Sequence, residues 1–459
     1  MAEHLLSVGL DVGTTTTQLI LSQLEIENRA SSFAVPELQI AKRQILYRSP
    51  VFFTPLASAQ LVDGDAIRRL VEQQYAAAGV QRQQIDTGAV IITGETSRKE
   101  NAARVLAALS EFAGDFVVAT AGPDLESVLA AKGAGAVTLS QQEPGILLHM
   151  DIGGGTANLA LLQEGNILQT GCMNVGGRLL KFSEGGKVTY VSPVLAGLTD
   201  LRPGDHPQEC QVEAIARLLT QALEMAAGLR PATDLLCKLW TTECGPVWPI
   251  PQGVQILSFS GGVADCIQSR QNPLTFGDMG PILGQTIRES LLCQGRFVTG
   301  QETIRATVIG AGCYSTTLSG STVFLQNAPL PQKNLPVISF TAQEQESHAL
   351  QDLIARRLMA QDSPRAVLAF PGWESPSYAQ ITGFGDQILA GAGNRELYIC
   401  LEGDMAKALG QYLRLKLPEK AHCLCIDRVT LSQNSYLDLG IPIGPALPVV
   451  IKTLILEEQ

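Results

Sequence analysis

Apolar residues in this chain fall into short unbroken runs more often than into long amphipathic stripes. Leu5-Leu6-Ser7-Val8-Gly9-Leu10 and Ile146-Leu147-Leu148-His149-Met150 have the length and composition of buried strands. Each run delivers an aspartate to its end, Asp11 and Asp151. Each then passes through glycine and threonine and re-enters an apolar stretch, Gln18-Leu19-Ile20-Leu21 or Asn158-Leu159-Ala160-Leu161-Leu162. The pattern predicts two β-hairpins, each with an acidic residue at its tip.

Around the first hairpin, Ala66–Ala78 and Asn101–Phe112 have helical apolar spacing, while Ala89–Thr93 and Phe116–Thr120 read as strands. Residues 1–140 are therefore expected to form one lobe and 141–328 a second. The second contains a proline- and glycine-rich stretch, Ser192–Pro207, and a helix over Gln211–Gly228. Pro329-Leu330-Pro331-Gln332-Lys333-Asn334-Leu335-Pro336 reads as a stiff linker, because proline fixes φ and gives no ladder donor. Beyond it, residues 337–459 alternate strands (Val337–Phe340, Ala366–Phe370, Leu397–Leu401, Cys423–Asp427, Val449–Leu456) with helices (Gln343–Met359, Met405–Leu415), the pattern of a small α/β domain.

The hairpin tips carry the chemistry. In Asp11-Val12-Gly13-Thr14-Thr15-Thr16 and Asp151-Ile152-Gly153-Gly154-Gly155-Thr156, residues without a side chain let backbone N–H groups approach an anion, and the threonine hydroxyls add donors. Two such turns imply a nucleotide held between lobes. No G-x-x-x-x-G-K-[ST] motif occurs, which excludes a P-loop. A carboxylate ~4 Å from a phosphate charge is repelled by ~4 kcal/mol at an effective dielectric of 20. A divalent ion between them reverses the sign, so Asp11 and Asp151 are the expected metal-directed pair, with Mg²⁺ the expected ion. Each turn alone could also be an ordinary tight hairpin. A third element, the strand Gln255–Phe259 followed by Ser260-Gly261-Gly262-Val263, would let a purine and its ribose lie against the backbone of Gly261 and Gly262, or it is a plain strand-to-helix connection.

Hairpin, hairpin and glycine turn, in that order, resemble the actin-like ATPase superfamily over roughly residues 5–325. The resemblance implies a two-lobed actin-like ATPase (ribonuclease H-like) α/β fold, to which the C-terminal α/β domain is added. It also implies connecting helices at about Asp124–Ala136 and Ile304–Thr316, both rich in small residues. A carboxylate at the start of the first connector, Asp124, is the residue implied to position the attacking water; Glu126 and Glu95 are alternatives, and a catalytic lysine has no certain equivalent.

Within that superfamily, Ile91–Ala102, Gly277-Asp278-Met279-Gly280-Pro281-Ile282-Leu283-Gly284 and the tail Tyr436-Leu437-Asp438-Leu439-Gly440 before Val449–Lys452 are similar to the ethanolamine ammonia-lyase reactivases. That resemblance implies an ATP- and Mg²⁺-dependent, chaperone-like factor cycling between ATP and ADP. It would release damaged cobalamin from ethanolamine ammonia-lyase so that adenosylcobalamin can rebind, and it implies association with a bacterial microcompartment. A small-molecule kinase of the same fold is the alternative, and a filament-forming ATPase a third.

Composition narrows the classes. At 459 residues with 45% hydrophobic and 17% charged residues, the chain has the makeup of a globular protein of about three domains. Its net charge of −11 argues against a nucleic-acid binder, which needs a basic surface. No run of 18 apolar residues and no basic n-region at Met1-Ala2-Glu3-His4 leads to the expectation of a cytoplasmic protein without a membrane partner. Ten cysteines without a C-x-x-C pair read as scattered thiols, and five histidines show no zinc spacing. His149 is expected to be a satisfied core histidine. Trp240 and Trp248 are read as packing beneath a loop or presented to a partner, and Asp404 as a helix N-cap or part of an anion grip.

Overall fold

A computed structural model describes residues 3–13, 16–28, 38–58, 61–93, 117–120, 123–241, 253–273, 275–300, 302–314, 316–318, 323–359, 365–429, 431, 435–442 and 447–453. The expected helix over Asn101–Phe112, the alternative Glu95, the turn residues Thr14 and Thr15, and Trp248 lie outside the described residues.

The first lobe is built on β1 (Glu3–Val12), β2 (Thr16–Asn28), β3 (Leu38–Arg48), β4 (Thr87–Ile92) and β5 (Val117–Thr120). Their order across the sheet is β3-β2-β1-β4-β5. The hairpin strands pair antiparallel, and β1, β4 and β5 run parallel. The helix α1 (Gly64–Ala77) starts where the Asp63 carboxylate accepts the Ala66 N–H at 2.9 Å, and it buries Ile67, Val71 and Tyr75 against the sheet.

The second lobe repeats this plan. Its strands β6 (Ile146–Ile152), β7 (Ala157–Gln163), β8 (Asn166–Met173), β9 (Ile256–Ser260) and β10 (Arg296–Thr299) lie in the order β8-β7-β6-β9-β10, again with an antiparallel hairpin and a parallel half. Every residue of β6 and β9 is buried, which explains why both read as unbroken apolar runs. Two sheets of identical strand order, each with its acidic hairpin at the centre, constitute the two-lobed actin-like ATPase fold.

The lobes are joined by α2 (Pro123–Gly133), followed by α3 (Ala136–Gln142), and by α7 (Ala306–Tyr314); between the last two in sequence come α4 (Glu209–Ala226), α5 (Gly262–Gln268) and α6 (Gly280–Arg288). The connectors α2 and α7 touch backbone to backbone. A Cβ on Gly310 would lie 2.0 Å from the Leu129 carbonyl oxygen, and one on Gly133 1.8 Å from that of Ala306. Helix α7 also meets β1, where a Cβ on Gly9 would lie 2.4 Å from the Val308 carbonyl oxygen.

The remaining residues form a third sheet. It begins before the proline-rich segment: β11 (Thr316–Leu318) and β12 (Phe324–Gln326) are its edges, and the expected linker is largely a strand, β13 (Gln332–Ser339). Pro329 and Pro331 precede this strand, and Pro336 lies within it, opposite Tyr436 of the antiparallel neighbour. The sheet is completed by β14 (Val367–Phe370), β15 (Leu397–Leu401), β16 (Cys423–Ile426), β17 (Ser435–Leu439) and β18 (Pro448–Thr453), in the order β11-β18-β17-β13-β14-β15-β16-β12. Helices α8 (Leu350–Met359), α9 (Tyr378–Ala392) and α10 (Ala406–Lys416) contribute to the core on one face of the sheet. The sequence pattern did not predict α9, whose capping box, Ser377 with Gln380, fixes its start.

Candidate functional site

The tips of both hairpins and the N-terminus of α5 meet in a cleft of about 310 Å³ between the lobes. Asp11 and Asp151 line it, with Gly13, Thr16, Gly153, Gly154, Gly155 and Thr156 of the turns and Gly261 and Gly262 of the third element. The structure thus gathers every described residue of the sequence-derived site except Asp124. That carboxylate accepts the Thr170 hydroxyl at 2.5 Å and is not among the lining residues; two residues on, Glu126 is.

The two half-sites match. The Gly13 N–H donates to the Thr16 carbonyl at 2.9 Å, and the Gly153 N–H donates to the Thr156 carbonyl at 2.9 Å. Across each hairpin the aspartate faces an amide: Asp11 is in register with Gln18, and Asp151 with Asn158. Both amides line the cleft, and the Gln18 and Asn158 side-chain oxygens are buried without a hydrogen-bond partner among the described residues. The sequence reading missed this pair. Its signal was the position of an amide at the same offset after each aspartate.

Burial pushes the Asp11 carboxyl up to about 7; the Thr93 hydroxyl, donating at 2.9 Å, opposes this, and the neighbouring Asp151 charge adds to it. Burial likewise pushes Asp151 up to about 6, opposed by bonds from Ser260 and Thr307. A partly buried Asp11 and a buried Asp151 that hold their protons this tightly are, among the described residues, a pair short of positive charge.

Asp151 ends a hydrogen-bond chain. The Ser260 hydroxyl donates to Asp151 Oδ1, so its oxygen must accept from His149 Nε2 at 3.0 Å, and His149 Nδ1 then accepts from the Ser258 hydroxyl at 3.1 Å. Burial holds His149 down at about 3, which keeps the ring neutral and compatible with this single direction of donation. His149 is a buried, satisfied histidine, as expected, and its partners lead to the site.

Gly261 has a φ of +85° and would place a Cβ 2.3 Å from the Ile152 carbonyl oxygen, so the third element rests directly on the second hairpin. A Cβ on Gly262 would meet only Ile304 Cδ1, at 3.8 Å, and would otherwise project into open space. On the other side, Gly176-Gly177-Arg178 closes over the second turn: Gly177 and Arg178 N–H groups donate to the Gly153 and Gly154 carbonyls at 3.0 and 2.6 Å. Arg178 is the one cation among the described lining residues. Its Nε pairs with Asp278 at 3.1 Å, its guanidinium lies 6.0 Å from the Phe53 ring of the other lobe, and Asp278 also accepts the Gly280 N–H at 2.8 Å.

The model of the family described as "Ethanolamine utilisation protein EutA" matches residues 3–457. The protein described as ethanolamine ammonia-lyase reactivase EutA from Escherichia coli (strain K12) is 38% identical over 98% of both chains, and its namesake from Salmonella typhimurium is 37% identical over 98% of both. Among solved structures, a Ppx/GppA family member from Aquifex aeolicus covers 67% of this chain and 97% of its own at 12% identity and a TM-score of 0.40. Ethanolamine utilization protein EutJ from Carboxydothermus hydrogenoformans covers 67% of this chain and 89% of its own at 16% identity and a TM-score of 0.33. Among the described residues, no helix is long and apolar enough to cross a membrane.

Proposed function

The chain belongs to the ethanolamine utilisation protein EutA family, and from that premise we propose that it is an ethanolamine ammonia-lyase reactivase driven by ATP and Mg²⁺. The observation that carries the ATP-driven part is the meeting of Asp11 and Asp151, one from each lobe, in a single cleft. The full-length relationship carries the identity of the lyase partner.

The residues present fit a metal-bound nucleotide. Among the described residues the two carboxylates have no counter-charge paired with them, and two buried amide oxygens lack donors. Among the described residues no three His, Cys, Asp or Glu side chains gather to hold an ion by themselves. An ion here would take most of its ligands from water and phosphate, the habit of Mg²⁺. Bound between the lobes, Mg²⁺ would neutralise phosphate charge and polarise a phosphorus–oxygen bond.

The chain's own residues would do the rest. Asp11 and Asp151 would hold the ion through its waters, with Gln18 and Asn158 orienting those waters. Thr14, Thr15 and Thr16 with the Gly153–Thr156 turn would cradle the phosphates, and Arg178, the one cation among the described lining residues, would supply fixed positive charge. Glu126, which lines the cleft, is better placed than Asp124 to orient an attacking water. Gly261 and Gly262 would present bare backbone to the nucleoside.

A ligand shifts lobe closure only by its differential affinity for the open and closed states. A γ-phosphate engaging both hairpins would supply that difference, and lobe movement would loosen the lyase around a damaged cobalamin until adenosylcobalamin replaces it. The test is recovery of ethanolamine ammonia-lyase inactivated by an adenine-lacking cobalamin, given this protein, ATP, Mg²⁺ and fresh adenosylcobalamin. Recovery should vanish without ATP or with Asp151→Asn. Equal recovery without the protein, or rapid phosphorylation of ethanolamine or another small alcohol, would replace this proposal with the kinase alternative or with none.

A further inference from the structure

A second cavity of about 570 Å³ lies on the connector side of the lobes and shares no lining residue with the nucleotide cleft. It is bounded by β3 of the first lobe, the ends of α2 and α7, helix α3, and β9 and β10 of the second lobe. Four cationic side chains line it, Lys42, Arg43, Arg48 and Lys132, against one carboxylate, Glu302. That balance is the reverse of the chain's net charge of −11.

Glu302 is already committed to an ion pair with Arg48. Arg43 spends its donors on backbone carbonyls, 2.8 Å to Cys313 and 3.5 Å to Ile40, and lies 4.6 Å from the Tyr314 ring centre. No carboxylate among the described residues pairs with it. Lys132 has no hydrogen-bond or ion-pair partner among the described residues, and it is partly buried. Burial, and after it the neighbouring Arg43 charge, holds the Lys132 ammonium below the usual lysine value. Arg48 is paired and Lys42 stands opposite Glu25 across the β2–β3 pair, which leaves Arg43 and Lys132 without a carboxylate partner among the described residues; a pocket in the size range of small-molecule sites with such a surplus of cations is short of an anion.

We propose that this connector-side cavity is a binding site for a small polyanion of the phosphate or polyphosphate class, with Lys132 and Lys42 as its principal cationic contacts. Both connectors reach both cavities. Helix α2 contributes Glu126 to the first and Lys132 to the second, and α7 contributes Thr307 to the first and Ile309 to the second. Ser258, which also lines the second cavity, begins the hydrogen-bond chain through His149 and Ser260 to Asp151. An anion seated there would contact the elements that position the catalytic aspartate.

The unfolding temperature of the full chain is measured against rising inorganic pyrophosphate in magnesium-free, phosphate-free buffer. A saturable rise is expected in the wild type. Arg178→Gln, which removes the cation of the nucleotide cleft, should leave the half-maximal concentration unchanged. Lys132→Gln should raise it by at least about tenfold, the loss of one charge-assisted hydrogen bond. Lys42→Gln, at an exposed position that the fold does not need, should also raise it and decides the matter if Lys132→Gln proves unstable. Absence of a saturable rise, survival of the rise in both lysine variants, or its loss in Arg178→Gln overturns the proposal. No nucleotide enters the experiment, so failure of the ATP reading leaves this result interpretable.

Discussion

Replacing Asp11 by Asn should strengthen the ligand-free protein and weaken the liganded one. Asp11 is pushed from 3.8 to about 7, chiefly by burial. A rise of roughly three units, at 1.36 kcal/mol each, makes the ionised form cost about 4 kcal/mol of folding stability as an upper bound. Water entering the open cleft should reduce this to about 2 kcal/mol. The sign follows from proton binding: the folded state holds the proton more tightly, so the cost is absent below about pH 4, grows as pH rises, and is complete above about pH 7. Asparagine has nearly the same shape and can still meet the Thr93 hydroxyl, but it cannot ionise. At about pH 8 and without ligand, Asp11→Asn should therefore unfold at a higher temperature than the wild type, and below about pH 4 the two should coincide. Adding Mg²⁺ and ATP should reverse the ranking, because the wild type gains stability by mass action and the variant has lost the charge that holds the ion. Thermal unfolding at the two pH values, with and without Mg²⁺ and ATP, checks all four outcomes. If Asp11→Asn were no more stable without ligand at about pH 8 and kept the full ligand-induced gain, the account of the cleft as a charge-deficient metal site would be wrong.

Gly261→Ala should cost about 1–3 kcal/mol in a denaturant titration, because its Cβ falls on the Ile152 carbonyl at a positive φ, whereas Gly155→Ala, with open space before it, should stay within about 0.5 kcal/mol. Gly262→Val should leave the fold unchanged and abolish ATP and ADP binding in calorimetric titration, since its side chain would project into the cleft. His149→Ala should slow steady-state ATP hydrolysis by about tenfold or more by freeing the Ser260 hydroxyl from its fixed direction, and His149→Gln, which restores an N–H donor, should recover part of the rate. In the C-terminal domain, burial and the Asp404 carboxylate push Asp427 up to about 7, so Asp427→Asn should raise the unfolding temperature above about pH 7 and make no difference below about pH 4.

The hairpins were legible because each signal is local: an apolar run, an aspartate, a turn of small residues and a second apolar run are contiguous in sequence. Burial on both faces erases alternation and leaves the unbroken runs at Ile146–Ile152 and Ile256–Ser260. What escaped depends on contacts made in space. Gly176-Gly177-Arg178 reaches the second turn only because β8 returns the chain beside it, and nothing in the tripeptide marks its target. Asp124 and Glu126, two residues apart, lie on nearly opposite faces of one helix, and only the packing of α2 decides which faces the cleft. Prolines at 329, 331 and 336 argued locally for a linker; Pro329 and Pro331 do precede the strand, but pairing with neighbours on both sides carries the chain from Gln332 through Pro336 to Ser339 as a strand. Helix α9 was missed because its glycines, Gly383, Gly385 and Gly391, blur its apolar period. Gly385 and Gly391 instead leave room for Tyr412 and Ile354.

The glycine contacts between α2 and α7 give the joint a mechanical character that a leucine-rich crossing would lack. Interlocked side chains turn two helices into gear teeth, and sliding one past the other means lifting each tooth out of its groove. At Gly133 and Gly310 there are no teeth; one backbone lies on the other like a journal on a bearing. Such a joint resists separation, because close atoms are held by dispersion, yet offers little resistance to small translations along the contact. The lobes can then travel by slippage at one smooth crossing, with both helices staying straight, and a single added methyl group would jam the bearing without touching the nucleotide.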